Sequence, residues 1–475
     1  MLRRSPAVRG LVSFVTDVEG SLDYWQRFLA ISRVVYRDPD TAQLRLRGDN
    51  THFVFGGDLF DKGDGDLELA RDLTNLKRAY PKRVSFILGN RDVNKMKLTS
   101  LLHENAVAMC PRDVELPFFR QGDPAAKPYE LFLSENSLHH SRESLLKWNL
   151  SHNMGCPTTF ELRRKELQRR MSSVKDAVID DAAVADSYLG SLAPGGALHD
   201  YLSHGQLAAI LGETIFVHGC ISDENVGFVP DRSLTESDNR QKGPLPGDHF
   251  VEQGKTAVEW VEALNTFCSE GVKEWMAYPV KMPSTGNRGG MFLTAYGHKR
   301  AIGEKTVMVS SFLYHGSPRF TDLRAVKFLN MSGISRICVG HQPSGDTPTI
   351  IRQPGMALVC ADTSYCHKGG TRGEAVTEVL VDDTSSECTI HGIRADGERY
   401  EFDGNDARLG VRVGPDGWWT KARLGSRQQR SDGASVILLQ KTTDSFFHVE
   451  HRKAEERCLV AEQLAAGDNS HPTGG

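Results

Sequence analysis

The sequence HFVFGGDLFDKG, residues 52–63, decides the fold. It opens with a mainly apolar run rich in Phe and Val, which is typical of a buried strand. Two glycines and Asp58 follow at once, and Asp61 and Lys62 come next. Open parallel sheets present their ligand sites just beyond the carboxyl ends of strands. This stretch therefore predicts a polar site at the end of a buried strand.

The same pattern recurs on both sides of this stretch. LVSFVTD (11–17) predicts a strand that ends at Asp17, with Glu19 after it, and RVSFILGN (83–90) predicts one that ends at Asn90. Apolar residues at helical spacing separate these strands, as in a parallel sheet with crossover helices. TIFVHG (214–219) and ISRICVGHQP (334–343) predict strands that end at His218 and His341.

The rest of the chain predicts an insertion and an extension. Residues from about 121 to 205 are polar, have helical tendency and end in a Pro-Gly-Gly turn, so we interpret them as a helical insertion in one domain over 11–383. A helix is expected over 258–275, and strands over 356–363 and 375–382. Residues 384–460 predict β-hairpins, with an Asp-Gly turn in the first. Residues 1–10 predict a flexible tail and 461–475 a disordered one.

Charge and cysteine usage restrict the partners. The 57 basic and 61 acidic residues give a net charge of -4, and basic residues do not alternate with aromatic ones near the motifs, which argues against a nucleic acid partner. No apolar run approaches the roughly 18 residues of a membrane span. The nine cysteines are odd in number and form no Cys-x-x-Cys pair, which predicts free thiols and a reducing, cytoplasmic compartment.

Five motifs, each directly after a strand, resemble those of the calcineurin-like metallophosphoesterases. The family pattern is Asp-x-His, Gly-Asp-x-x-Asp, Gly-Asn-His-Asp/Glu, His and Gly-His-x-His, and residues 11–383 follow it in order except at Glu19, Arg91 and the last position, Pro343. Gly-His-x-Pro at 340–343 and Cys-Ala-Asp-Thr at 360–363 resemble the branch of the serine/threonine phosphoprotein phosphatases and diadenosine tetraphosphatases. The resemblance implies an α/β fold with two mixed β-sheets packed as a sandwich flanked by helices, beside the small β-rich C-terminal extension.

The resemblance also implies chemistry. Two divalent ions, Mn²⁺ or Mg²⁺, would clamp a phosphate ester or anhydride and activate a water between them. The substrate would be a phosphorylated protein, nucleotide or small molecule. Asp58 would bridge the ions, and the other ligands would be Asp17 and Glu19 at the first site and Asn90, His218 and His341 at the second.

Glu19, where the family has His, is the first departure. With Glu19 as a ligand the first site would be all oxygen, which suits Mg²⁺ or Mn²⁺ better than Zn²⁺. The alternative is that Glu19 lies outside the coordination sphere and the first site is weak or empty.

Arg91, where the family has the His that protonates the leaving group, is the second departure. Arginine does not donate a proton at neutral pH, but it can pair with Asp61 or bind a phosphate oxygen. His298 or His315 would then be the acid, or turnover is slow, or the leaving group needs little protonation, as in anhydrides and aryl phosphates. We favour the last of these.

Further basic residues are candidates for binding phosphate. Lys62 stands where the phosphatases carry Arg, and Arg288 lies in a glycine-rich loop, where a solvated loop residue is an equal alternative. Lys95, Lys97 and the basic stretch 163–170 predict solvated helix faces.

Three alternatives to a phosphatase stay open. The two departures are compatible with a catalytically weakened protein that uses the fold for binding or as a scaffold. The absent general acid is compatible with a dinucleoside polyphosphate hydrolase. A phosphodiesterase or nuclease ranks below these, because no basic and aromatic groove accompanies the motifs. The sequence indicates no oligomeric state.

Overall fold

The computed structural model describes residues 10–123, 126–171, 178–235, 245–314, 317–343, 345–364, 373–382, 387–414, 416–424, 436–442 and 449–455. The tail predicted over 1–10, apart from Gly10, lies outside the described residues. So do the tail predicted over 461–475, the domain boundary at 383–384, and His315.

Seven strands form the first sheet, which is mixed. Leu11–Val15 is parallel to His52–Phe55, which is parallel to Val84–Ile87. On its other side Leu11–Val15 is antiparallel to Val376–Asp382. Because the three parallel strands run in one direction, their carboxyl ends lie at one edge. The spatial order is Arg399–Asp403, Cys388–Ile393, Val376–Asp382, Leu11–Val15, His52–Phe55, Val84–Ile87 and Gly205–Gln206.

Five strands form the second sheet, which is also mixed. Thr214–Val217 is parallel to Arg336–Val339, which is parallel to Met356–Cys360. Antiparallel strands close both sides. The spatial order is Thr349–Gln353, Met356–Cys360, Arg336–Val339, Thr214–Val217 and Ala208–Leu211.

The two sheets pack face to face through alternate residues of their strands. Val12 and Phe14 of the first sheet share a core with Phe216 and Cys338 of the second, and the rings of Phe14 and Phe216 are 5.3 Å apart. Val15 points to the opposite face and joins the core beneath the helices. The α/β sandwich of two mixed sheets flanked by helices, with a β-rich C-terminal region, is therefore confirmed.

Helices cover the outer faces of the sandwich. The helix predicted over 258–275 is confirmed as Ala257–Ala277, and it begins with a capping box between Thr256 and Glu259. The side chain of Ser21 caps the first helix by accepting a hydrogen bond from Tyr24 N–H. The α-helices are Leu22–Ile31, Asp66–Ala79, Asn90–Asn94, Leu98–Leu101, Glu104–Val107, Tyr129–Glu135, Arg142–Trp148, Thr159–Arg170, Asp181–Leu192, Ala197–Ser203, Ala257–Ala277, Met291–Tyr296, Lys299–Ile302 and Leu323–Met331. Shorter helical turns are Lys95–Lys97, Pro111–Asp113, Phe118–Arg120 and the π-helical Asn149–Asn153.

Helices predominate in the described residues of the stretch 121–205, and one of them, Thr159–Arg170, contacts the helix Asp66–Ala79. Glu166, in Thr159–Arg170, accepts hydrogen bonds from the backbone N–H groups of Leu67 and Glu68 at 2.8 and 3.0 Å. These donors lie in the first turn of Asp66–Ala79, where N–H groups have no partner within the helix. A carboxylate from one helix therefore caps the other.

The stretch 163–170 is not a solvated face throughout, so that prediction was wrong. Arg163 is buried, with its Nη2 3.4 Å from Asp66 and its Nε 3.4 Å from Glu166. Its guanidinium also lies over the ring of Tyr188, 4.2 Å from the centroid. The neighbouring helices supply partners that make burial of this charge possible.

The C-terminal residues extend the first sheet and form a further one. The predicted hairpin with the Asp-Gly turn is confirmed, and its strands are the last two of the first sheet. Val436–Thr442 pairs antiparallel with Val449–Glu455. This C-terminal sheet contacts the second sheet, because Thr349 Oγ1 donates to Gln440 Oε1 at 2.9 Å. Its strands are Arg412–Val413, Trp418–Leu424, Val436–Thr442 and Val449–Glu455. Short two-stranded pairs join Val35–Arg37 to Leu44–Leu46, Phe228–Pro230 to Gly247–His249, and Leu313–Tyr314 to Ser317–Pro318.

Within the described ranges no helix combines the length and the apolar character that a membrane span requires. Cysteines 110, 156, 220, 268, 338, 360 and 388 are free thiols.

Candidate metal centre

Five strand ends meet at one edge of the sandwich, three from the first sheet and two from the second. They bring one ligand-type atom each from Asp58, His218 and His341 within 4.8 Å of one another. In the part of the chain that the structure describes, no other set of three His, Cys, Asp or Glu side chains comes this close. Three of the six predicted ligands therefore converge.

His218 is oriented by a backbone carbonyl. Its Nδ1 lies 2.8 Å from the carbonyl oxygen of Gly56, so Nδ1 carries the proton and donates it there. Its Nε2 lies 3.3 Å from Asp58 Oδ1. The ring of His341 is 5.2 Å from that of His218. A hydrogen bond at one imidazole nitrogen leaves the other available as a ligand, which is how metal-binding histidines are usually held.

Asn90 stands between Gly89 and Arg91, whose backbones lie against Asp58. Its Oδ1 and the Nε2 of His218 are buried, and neither has a hydrogen-bond partner among the described residues. The preceding Gly89 lies against both neighbours: a Cβ there would be 2.1 Å from Asp58 Oδ1 and 2.8 Å from His218 Cε1. Buried polar atoms without partners are costly. A carboxylate, an amide oxygen and two imidazoles fit a divalent cation, and the imidazoles favour a transition metal over Mg²⁺.

Asp92 supports the candidate centre in a way that sequence reasoning missed. It is fully buried and accepts hydrogen bonds from the backbone N–H groups of Asp58 at 3.0 Å, Leu59 at 2.9 Å and Gly89 at 2.8 Å. It therefore joins the loops that carry Asp58 and Asn90. Burial, together with the charge of Asp58, raises the pKa of Asp92 to about 7. In the sequence, the feature that could have pointed to Asp92 is its position in the Gly-Asn-Arg-Asp block, residues 89–92.

Glu19 faces cations of the protein itself. Lys62 Nζ is 2.7 Å from Glu19 Oε1, and Arg91 Nε is 3.4 Å from the same oxygen. Arg91 Nε also lies 3.5 Å from Asp58 Oδ2, and its Nη1 lies 3.5 Å from Asp61 Oδ2. Arg91 thus pairs with Asp61, one of the two roles that its sequence position allows.

Asp17 connects the two sheets at this edge. Its Oδ2 accepts hydrogen bonds from the backbone N–H of His341 at 3.0 Å and from Thr16 Oγ1 at 2.6 Å. Burial, and then the nearby carboxylate of Asp362, raise the pKa of Asp17 well above its ordinary value. Asp17 stands beside the converging ligands without joining their set.

Lys95 and Lys97 are buried, so the prediction that they form a solvated face was wrong. Lys95 Nζ lies 2.6 Å from Asp61 Oδ1 and 3.9 Å from the sulfur of Met154, which belongs to the insertion. Lys97 Nζ lies 2.8 Å from Nε2 of His298. The insertion covers this helical turn, and Asp61 supplies the charge that makes the burial of Lys95 possible.

Arg288 lies apart from the converging ligands. Its Nη2 donates to Thr294 Oγ1. It lines a cavity of about 270 Å³ together with Lys97, Trp148 and Asn153, and none of the six predicted metal ligands lines that cavity.

The backbone of the centre is strained. In the described part of the chain seven non-glycine residues have positive φ, and five of them lie here: Asp17, Glu19, Asp58, Asp61 and His341. Such conformations cost about 1–3 kcal/mol each and cluster at functional sites. The concentration at one sheet edge indicates that side-chain placement was favoured over local stability.

The pKa values of the three converging residues are shifted in different directions. Burial alone would raise the pKa of Asp58, but His218 and then Arg91 outweigh it and hold that pKa below its ordinary value. Burial would lower the pKa of His218, yet Asp58 and Asp17 raise it to about 10. Burial and the nearby His218 lower the pKa of His341 to about 3, so this imidazole is neutral at pH 7.

Comparison with known proteins gives structural similarity alone. No protein-family model and no curated protein matches the sequence. A cold-active protein-tyrosine phosphatase of a psychrophilic Shewanella species is 13% identical, with 83% of this chain and 80% of that chain covered, at a TM-score of 0.40. A serine/threonine phosphatase from Saccharomyces cerevisiae is 11% identical, with coverages of 79% and 73% and a TM-score of 0.32. A metallophosphoesterase from Sphaerobacter thermophilus is 11% identical, with coverages of 82% and 91% and a TM-score of 0.28.

Proposed function

We propose that this protein is a metal-dependent phosphoesterase of the calcineurin-like type. The convergence of Asp58, His218 and His341, with the buried Oδ1 of Asn90 beside them, carries this proposal. A divalent ion held by these four residues would supply Lewis-acid stabilisation of a phosphoryl oxygen and lower the pKa of a water. The two imidazoles lead us to propose Mn²⁺ ahead of Mg²⁺.

The remaining side chains suit binding of a phosphoryl group. Arg91 places a positive charge beside Asp58, and Lys62 places a second one beside Glu19. A guanidinium has five N–H donors, so Arg91 keeps donors for a phosphate oxygen after it has paired with carboxylates. Asp61 orients Arg91, and Lys95 in turn neutralises Asp61. Arg288 would act farther out, on the part of the substrate that enters the cavity next to Lys97.

The centre favours substrates with good leaving groups. Arg91 occupies the family's general-acid position, and burial, which alone would lower its pKa, is outweighed by Glu19 and Asp58, which raise it above the ordinary value. It therefore does not protonate a leaving oxygen. We propose aryl phosphates and phosphoanhydrides, including dinucleoside polyphosphates, ahead of alkyl phosphomonoesters such as phosphoserine.

Hydrolysis of p-nitrophenyl phosphate tests the function. The chelator-treated full chain should be inactive, and added Mn²⁺ should restore more activity than Mg²⁺. Asp58→Asn and His218→Ala should reduce kcat by about a hundredfold or more. His249→Ala, on an exposed side chain paired with Glu252, is the matched control and should retain activity.

A substrate panel separates the alternatives. Diadenosine polyphosphates, a phosphoserine peptide and a bis-aryl phosphodiester should be compared in Mn²⁺. Higher kcat/KM on the anhydride than on the peptide supports the leaving-group argument, and equal values contradict it. Activity that is indifferent to metal and to Asp58→Asn would instead favour a binding or scaffold role.

A further inference from the structure

Positive side chains occupy the space that the resemblance assigns to a first metal ion. Arg91 Nε lies 3.4 Å from Glu19 Oε1 and 3.5 Å from Asp58 Oδ2. It thus bridges the two carboxylates that would share an ion there. Lys62 Nζ lies 2.7 Å from the same oxygen of Glu19. Two fixed cations and a divalent ion in one place would repel one another strongly.

The backbone anchors both cations. Lys62 N–H donates to the carbonyl oxygen of Glu19 at 2.8 Å. Arg91 N–H donates to Asp58 Oδ1 at 2.9 Å. The side chains of Lys62 and Arg91 are 12% and 18% exposed, and that of Glu19 is 2% exposed. Charges so far from water need fixed partners. We therefore treat these cations as permanent parts of the centre.

The carboxylates on this side do not form a second ligand set. Neither Asp17 nor Glu19 joins a group of three converging ligand atoms anywhere in the described ranges. Asp17 Oδ2 accepts from His341 N–H and from Thr16. Glu19 Oε2 is buried and accepts no hydrogen bond from a described residue. A single carboxylate oxygen does not hold a divalent ion against two adjacent cations.

We propose that the centre binds one divalent ion, at Asp58, Asn90, His218 and His341, and that Arg91 and Lys62 replace the second ion. This inference rests on the proposed function, and it departs from the dinuclear site that the resemblance implies. A bound phosphoryl group would then have Arg91 and Lys62 on one side and the divalent ion on the other. The sequence left open whether the first site is an all-oxygen ion site or a weak or empty one. In this proposal the side chains of Arg91 and Lys62 occupy that site.

The number of metal ions bound per chain tests the inference without relying on catalytic activity. The full chain is stripped with a chelator, loaded with Mn²⁺, freed of excess ion by gel filtration and measured by elemental analysis. Electron paramagnetic resonance on the same sample distinguishes an isolated Mn²⁺ from an exchange-coupled pair. We expect one ion per chain and an isolated signal. Two coupled ions would overturn the inference and leave the proposed function standing, whereas no bound ion and no metal-dependent hydrolysis would overturn both.

Two substitutions test whether Arg91 and Lys62 are the reason that a second ion is excluded. Arg91→His removes the bridging cation and supplies a ligand type, and Lys62→Met removes the other cation with similar side-chain length. We expect the stoichiometry of Arg91→His to rise toward two ions, and that of the double variant to reach two. Arg324→His, on an exposed side chain that pairs with Glu252, is the control and should stay at one. Circular dichroism verifies folding. A value of one in Arg91→His and in the double variant would overturn the role assigned to Arg91 and Lys62.

Discussion

Gly89 shows how little space a single residue at the centre has. Its φ of -93° is open to any residue, so the backbone does not require glycine there. The requirement is steric, because a Cβ would lie 2.1 Å from Asp58 Oδ1 and 2.6 Å from Asp58 N. The Asp58 backbone cannot move away easily, because its N–H donates a hydrogen bond to Asp92.

Gly89→Ala should therefore displace Asp58. We expect the free energy of unfolding to fall by about 1–3 kcal/mol, as for other overpacked sites. Affinity for Mn²⁺ should fall about tenfold or more, as when the support of a ligand is disturbed. Urea unfolding and calorimetric titration of the ion measure the two effects.

Gly190→Ala is the matched control. Gly190 lies in the helix Asp181–Leu192, and no atom beyond the backbone of that helix lies within 4 Å of the point where a Cβ would stand. This change should stabilise the protein by about 0.5–1 kcal/mol and leave ion affinity unaltered. Equal effects of the two substitutions would contradict the steric account.

At the scale of elements, the helix Asp66–Ala79 depends on the cap that Glu166 of Thr159–Arg170 supplies. Glu166→Ala would leave two buried backbone donors without their acceptor and would remove one of the two carboxylates that pair with Arg163. We expect a loss of about 3 kcal/mol or more in the free energy of unfolding. Glu161→Ala, on the same helix but 59% exposed, should change stability by less than about 0.5 kcal/mol. Urea unfolding compares them, and similar losses would show that the cap contributes little.

Asp66, in the same buried cluster, gives a pH dependence. Burial raises its pKa from 3.8 to about 7, despite the opposing effect of Arg163. A raised carboxyl pKa means that the folded chain holds the proton more tightly than the unfolded chain. The contribution of Asp66 is therefore present below about pH 4 and lost as the pH rises through about 7.

Asp66→Asn removes this titration. As the pH rises from about 4 to 7, the free energy of unfolding of the variant should increase relative to that of the unmodified protein, by an amount on the order of a few kcal/mol. Asp181→Asn should show no such trend between about pH 4 and 7, because hydrogen bonds from Lys147 and Arg164 outweigh burial and lower the pKa of Asp181, which leaves it ionised in the folded and the unfolded chain alike. Urea unfolding across this range measures both slopes, and parallel curves for the Asp66 variant and the unmodified chain would refute the shift.

The elements that the sequence predicts best are those whose signal is local. The strands before Asp58 and Asn90 were readable because an apolar run ends directly at each polar residue, and parallel strands bring such ends to one edge. The burial of Lys95 was not readable, because its cover includes Met154, which is distant in sequence. The Gly-Asn-Arg-Asp block draws attention to Asp92, but it does not show which backbone N–H groups this carboxylate accepts from, since backbone donors leave no trace in residue types.

At the scale of the whole molecule, the candidate ligands join the two sheets. Asp58 and Asn90 follow strands of the first sheet, and His218 and His341 follow strands of the second. An ion bound by all four stabilises the folded chain alone, by about 2.7 kcal/mol at a hundredfold excess over Kd. We expect Mn²⁺ to raise the Tm of the chelator-treated protein by several degrees, and less in Asn90→Ala. Scanning calorimetry measures this, and an unchanged Tm would contradict the shared site.

The insertion also holds the loop that carries Lys62. Thr159 Oγ1 donates to the carbonyl oxygen of Asp61, and Arg169 Nη2 donates to that of Asp64 at 2.7 Å. With the cap from Glu166, the helix Thr159–Arg170 contacts this loop along its length. In mechanical terms the helix is a brace that ties the insertion to the loop of Lys62 through the backbone of Asp61 and Asp64. A displacement of this helix would therefore move the loop that carries the cation proposed to bind phosphate.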